Sequence, residues 1–212
     1  MDGENRSLRM DGSVASSLRV NAELRKGLDM LKATRTGVIV NGYGPTRFEG
    51  SATATILRGE VEAMVSPSPL FELAGRVRGQ WANRPLLNFE EFAIGNQTIG
   101  RGYDPGANTG DRAVAFTVEP RVNFDLADIG RAQVFGFYDD IHLWNLDTGS
   151  TERKRHIKSL GGGLRVTLTQ GVRAELTYTH PLDPPLLTGT QIRPPADRFL
   201  FSLTFQLAPF GF

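Results

Sequence analysis

An antiparallel transmembrane β-barrel, all-β, is the fold class the sequence predicts, and three observations predict it. Apolar and polar residues alternate with period two through about eight runs of roughly ten residues. Arginine and glutamate inside those runs keep to one parity. Short connections alternate with long glycine-rich ones along the chain.

The runs can be taken in order. Over 14–25, Val14, Leu18, Val20, Ala22 and Leu24 share one parity with Ser16, against Ala15, Ser17, Arg19, Asn21, Glu23 and Arg25. A strand sends successive side chains to opposite faces, so one face is apolar and the other wet. Near 51–65, Leu57, Val61, Ala63 and Val65 oppose Arg58, Glu60 and Glu62. Ser66-Pro67-Ser68-Pro69 then reads as a turn. Over 71–82, Phe71, Leu73, Val77 and Trp81 oppose Glu72, Arg76, Arg78 and Gln80. Over 113–122, Val114, Phe116, Val118 and Val122 oppose Thr117, Glu119 and Arg121. Further runs lie near 131–144, 159–169 and 171–180. The last, 198–207, sets Phe199, Phe201, Leu203, Phe205 and Leu207 against Leu200, Ser202, Thr204 and Gln206.

Alternation alone is shared with a soluble sheet that has one solvated face, which could hold the same charges. Connection lengths separate the two. Short turns near 66–70, 124–130 and 169–171 alternate with long loops over 26–48, 83–111, 145–158 and 181–197, the asymmetry of a membrane barrel. No stretch approaches the ~18 consecutive apolar residues of a membrane helix.

Composition narrows the function classes. With 40% hydrophobic and 22% charged residues the chain is neither disordered nor a helical membrane protein. A net charge of +1 argues against a nucleic-acid surface. The absence of cysteine removes disulfides and thiolate chemistry. Residues 1–13 are polar and lack the apolar centre of a signal peptide.

Candidate chemical sites are weak. His142, His156 and His180 lack the spacing of a metal centre, so no metal and no cofactor is expected. Asp139, Asp140 and His142 imitate part of a hydrolase triad, but no serine sits in a Gly-x-Ser-x-Gly elbow, and no enzymatic activity is expected. Asp104 to Asp111 lacks the terminal glutamate and the spacing of a calcium loop. Gly161-Gly162-Gly163 precedes no helix, so it marks a bend or a close approach rather than a phosphate cradle.

The long 83–111 segment carries Glu91-Phe92-Ala93-Ile94-Gly95, then Gly100-Arg101-Gly102-Tyr103, then Gly110-Asp111. Phe137-Tyr138-Asp139 follows on the second strand after it, and Ser159-Leu160-Gly161-Gly162-Gly163-Leu164 on the next. In these motifs the chain resembles the hemolysin activation/secretion family of the ShlB/FhaC/HecB type, the TpsB transporters of two-partner secretion. The family pattern is an acidic-Phe-x-x-Gly-Gly stretch, Val/Ile-Arg-Gly-Tyr/Phe, Gly-Asp and Phe-x-Asp-x-Gly. Asn96 replaces its second glycine, Gly100 its Val or Ile, and Ile141 its last glycine.

The resemblance implies a sixteen-stranded outer-membrane barrel whose Arg-Gly-Tyr loop joins the eleventh and twelfth strands and folds back into the pore. The eight runs would then be the ninth to sixteenth strands. Residues 14–212 would be the C-terminal part of the barrel, 1–13 a polar N-terminal remnant, and the signal peptide, plug and periplasmic domains would precede the segment. The family's loop arginine meets the aspartate of the later motif, so the resemblance assigns Arg101, Gly102 and Tyr103 to the pore loop. It assigns Phe137 and Asp139 to the lumen wall, with Arg101 paired to Asp139. The implied partners are a secreted TpsA-type exoprotein, the lipid bilayer and the barrel-assembly machinery, to which a terminal Phe212 would be a signal. Two other readings stay open: an outer-membrane assembly factor of the same superfamily, and a small complete ligand-binding barrel whose first and last strands pair.

Overall fold

The computed structural model describes residues 6–9, 15–30, 36–39, 43–95, 99–106, 108–149, 153–168, 171–183 and 196–206. Val14, Asn96, Leu207 and Phe212 lie outside them. In chain order the strands are β1 (Arg6–Arg9), β2 (Ala15–Lys26), β3 (Thr55–Ser66), β4 (Phe71–Ala82), β5 (Phe92–Ala93), β6 (Thr109–Gly110), β7 (Arg112–Asp125), β8 (Gly130–Trp144), β9 (Lys154–Leu168), β10 (Val172–Pro181) and β11 (Arg198–Phe205). Two short 3-10 turns, Asn88–Glu90 and Ala127–Ile129, are the described helical elements.

Nine strands form one antiparallel meander in the order β1-β2-β3-β4-β7-β8-β9-β10-β11, and β5 pairs with β6 separately. All eight alternating runs are strands of this sheet. The ninth, β1, lies in the polar 1–13 segment, where no alternation announces it. β9 begins at Lys154, well before the expected 159, because 154–158 pairs in register with 140–144 of β8. The consecutive charges Lys154 and Arg155, with His156 and Lys158, disguise that extension as loop. Among the described residues β1 and β11 each pair on one side only, so the first-to-last strand pairing that a small complete barrel requires is absent.

The burial pattern separates a membrane wall from a soluble sandwich. The outward parity carries Leu24 at 71% exposure, Phe201 at 67% and Leu57 at 50%, whereas inward Glu119 is 5% and Asp139 0% exposed. A soluble protein buries the first kind and exposes the second; here the order is inverted, the arrangement of a transmembrane barrel strand. The inward charges are paired across strands. Glu62 of β3 meets Arg19 of β2 at 3.4 Å and Arg76 Nε of β4 at 2.6 Å. Glu119 of β7 meets Arg121 of its own strand at 2.8 Å and Arg165 of β9 at 3.5 Å, and Arg165 meets Glu175 of β10 at 2.7 Å. The solvated Arg19–Glu62 pair adds little stability, about 0–1 kcal/mol, and in the largely buried Glu119–Arg165–Glu175 chain desolvation offsets much of the attraction. Their consequence is a polar, alternating-charge inner wall.

The short turns at 67–70 and 126–129 lie at one end of the strands, and the β2–β3, β4–β7 and β8–β9 connections leave from the other; residues 169–170 of the third expected turn lie outside the described residues. The 83–111 connection starts at the long-loop edge and turns inward. Its Phe92, Ile94, Ile99 and Tyr103 bury against Ala113, Ala115, Ile141, Leu143 and Ile157 of the wall. Burying this apolar set, at ~25 cal/mol per Å², is what holds the segment on the sheet.

Candidate functional site

The site forms where the inward loop meets β7, β8 and β9. Gly100 has φ +66°, which L side chains rarely adopt, and it turns the chain so that Arg101 points at the wall. Gly102 then runs against β9: a Cβ there would stand 2.7 Å from Ser159 Cβ and 3.2 Å from Pro181 backbone.

Arg101 is 3% exposed. Its Nη2 donates to Asp139 Oδ1 at 3.0 Å, its Nε to Asp139 Oδ2 at 3.3 Å and its Nη1 to Glu119 Oε2 at 2.6 Å. Its backbone N–H donates to Asp139 Oδ2 at 3.1 Å. Asp139 also accepts from Thr117 Oγ1 at 2.9 Å and Ser159 Oγ at 3.4 Å, and Ser159 Oγ accepts the Gly102 N–H at 3.4 Å. One buried guanidinium is thus shared by two carboxylates, and every oxygen of Asp139 is used. Charge-assisted bonds of this kind are about twice as strong as neutral ones.

Phe137 forms the floor. The Arg101 guanidinium carbon lies 3.5 Å from its ring centroid, and Arg165 lies 4.4 Å from that of Phe135. These rings can lie along the wall because their cross-strand partners are glycines: Phe137 faces Gly161 and Phe135 faces Gly163. A Cβ on Gly161 would collide with the Tyr178 carbonyl oxygen of β10 and stand 2.7 Å from the Phe137 ring. Gly161→Val is therefore expected to part β9 from β10 locally, lift Phe137 and displace Arg101. Loss of the protection of Arg101 from trypsin, with faster amide exchange at the β9–β10 pairing, checks this.

Of the sequence-derived residues, Arg101, Phe137 and Asp139 converge at one point, and Gly102 lies beside them on Ser159. Tyr103 turns toward β9 and β10. Its hydroxyl donates to the Lys158 carbonyl at 2.7 Å, with the Asp183 carbonyl 3.1 Å away. Burial pushes its pKa up to about 12, so it stays a donor at any physiological pH. Its backbone carbonyl accepts from Arg198.

Sequence reasoning missed Glu119, Thr117 and Ser159 as members of this cluster. It also missed a second cluster above it. Asp111 is 0% exposed. It accepts from Leu86 N–H at 2.6 Å, Leu146 N–H at 2.7 Å, and Arg47 Nη1 and Nη2 at 2.6 and 2.8 Å. Arg47 also binds Glu91 and Asp147. Residues from three connections, 27–54, 83–111 and 145–153, thus meet on one aspartate. Burial disfavours the charge of Arg47, but its pairs with Asp111 and Asp147 outweigh that and hold its pKa up. Glu91 is pushed up, first by burial. A signal for the loop's seat was present: Ala113, Ala115, Ile141, Leu143 and Ile157 are apolar on the otherwise polar parity, which marks wall that is covered rather than wet.

Comparison with protein-family models matches residues 8–166 to the haemolysin secretion/activation protein ShlB/FhaC/HecB. The matched region contains β2 to β8 whole, most of β9 and the inward loop. No curated protein matches the chain.

Proposed function

The chain belongs to the haemolysin secretion/activation family ShlB/FhaC/HecB, a family of outer-membrane secretion pores, and on that premise we propose that it is the wall and pore loop of a conduit that passes one large exoprotein across the outer membrane. The observation that carries the proposal is the buried Arg101–Asp139–Glu119 cluster, which fastens a long loop to a polar inner wall. An external loop that packs against the charged face, instead of standing in solvent, occupies the path a substrate takes. Ordering it carries an entropic penalty, which the buried pair and the apolar seat offset. Moving it away exposes an alternating-charge surface over which an unfolded polypeptide can slide without a fixed sequence match.

The role is transport rather than catalysis. The outward apolar face meets lipid, the short-turn edge faces the periplasm, and the long loops face outside. The barrel-assembly machinery inserts the protein, and an exoprotein of the TpsA type is its cargo.

Deleting the gene and restoring it tests the proposal. The expected result is loss of one large polypeptide from the culture medium, with return on complementation and with the outer-membrane protein profile unchanged. General depletion of outer-membrane barrels, with the medium unaltered, would instead favour the assembly-factor reading and contradict this one.

A further inference from the structure

We infer that the outer face of the β8–β9 hairpin holds a divalent transition-metal site of the zinc or copper class, formed by His142, His156 and Asp140. His142 and His156 are directly opposed in the antiparallel register, so their side chains leave the same face side by side. Their rings lie 4.0 Å apart and 12° from parallel. Asp140 stands two residues before His142 on the same face. Its Oδ1 is 3.2 Å from His142 Nε2 and 2.8 Å from His156 Nε2.

Those separations are the argument. Donors bound at about 2.0–2.1 Å to one ion lie roughly 2.9–3.4 Å from each other across tetrahedral or octahedral edges. The three donor atoms all fall within 4.8 Å of one another, so an ion is held once the two exposed rings turn out of their parallel stack and aim both Nε2 atoms at it. The second carboxylate oxygen of Asp140 accepts from the Tyr138 hydroxyl at 3.3 Å. That contact leaves Oδ1 free for the imidazoles and orients the carboxylate, as outer-shell partners of metal ligands do. Two imidazoles and one carboxylate select borderline ions over magnesium or calcium. With the histidine side chains 46% and 44% exposed, the remaining coordination positions open to solvent.

Position on the wall gives the site access to aqueous metal. Outward residues of β8 run Val134, Tyr138, Asp140, His142, Trp144 toward the 145–153 loop. From Ala132 to His142 the strand rises about 33 Å, or about 25 Å of membrane height at a tilt near 40°. His142 thus sits at the outer interface, where Trp144, a typical interfacial residue, stacks beside it at 6.1 Å. Ion binding ties the ends of β8 and β9 together at the base of the 145–153 loop. Lys158 is opposite Asp140 in the register, and its cation opposes a bound metal.

The test is titration of the full chain in detergent micelles with Zn²⁺ by calorimetry, together with electron paramagnetic resonance of the Cu²⁺-loaded wild type. The expected result is one saturable site, weakened at least tenfold by His142→Ala and equally by His156→Ala, unchanged by His180→Ala and tightened by Lys158→Ala. Superhyperfine splitting from two nitrogens is expected for Cu²⁺, a readout that needs no variant. Binding that ignores both substitutions, or a Cu²⁺ spectrum without nitrogen coupling, overturns the site.

Discussion

Asp139→Ala is expected to release the loop from the wall. The substitution removes the acceptor of two Arg101 guanidinium bonds, of the Arg101 backbone N–H and of the Thr117 hydroxyl. Glu119 alone then faces a guanidinium that remains out of water. Breaking a buried pair by deleting one partner costs about 3–5 kcal/mol, which is about two to three orders of magnitude in the docked-to-released ratio. In planar bilayers the full protein should show a larger and noisier conductance, and secretion should fall. Asp139→Asn keeps the shape and one acceptor, so its effect should be intermediate. Conductance and secretion equal to wild type in Asp139→Ala would contradict the anchoring role.

The second large effect is expected outside the lumen, at Asp111. Asp111→Ala leaves the Leu86 and Leu146 N–H groups without their acceptor and strips Arg47 of its bidentate partner. A loss of about 3–5 kcal/mol again applies, spread over loops that have no other shared tie of this strength among the described residues. The 27–54, 83–91 and 145–153 connections should become protease-sensitive together, while the strands stay protected. Arg47→Lys, which keeps the charge but loses the planar fork, should give a smaller loss of the same kind. A sharp difference between loops, with only one opening, would contradict a single hub.

The same loops give a pH expectation. Glu49 accepts from the backbone and hydroxyl of Thr148 at 2.9 and 2.8 Å. Those bonds hold its pKa below the ordinary 4.5. A depressed carboxylate contributes stability that is present above the unfolded value and lost as pH falls through the folded one. Contact between the 43–50 and 145–149 segments should therefore weaken only below pH 4.5, and Glu49→Gln should remove that acid dependence. Hydrogen exchange at Thr148 N–H measured across pH checks it.

How much of this was legible in the sequence depended on the range of each interaction. The strands were legible because a half-wet sheet imposes period two on every residue it contains, and eight such runs are present. The four residues of β1 are too few to show a period. The start of β9 was hidden because 154–158 lies beyond the apolar belt, where outward positions no longer need to be apolar. Arg101 and Asp139 were singled out through the resemblance; their separation of 38 residues carries no local signal. Asp111 stands in the family's Gly-Asp motif, but nothing in the sequence names Arg47, 64 residues away, as its partner. The opposition of His142 and His156 follows from hairpin register, which spacing rules written for helices and cysteine motifs do not express.

The most direct test of the anchored loop is limited tryptic digestion of the folded protein in a bilayer, read by mass spectrometry. Arg153 lies exposed in the 145–153 connection and serves as the internal reference, whereas Arg101 is buried against Asp139 and Glu119. The account predicts early cleavage after Arg153, with the Arg101–Gly102 bond intact in the wild type and cut in Asp139→Ala. Cleavage after Arg101 in the wild type, at the rate seen after Arg153, would contradict it.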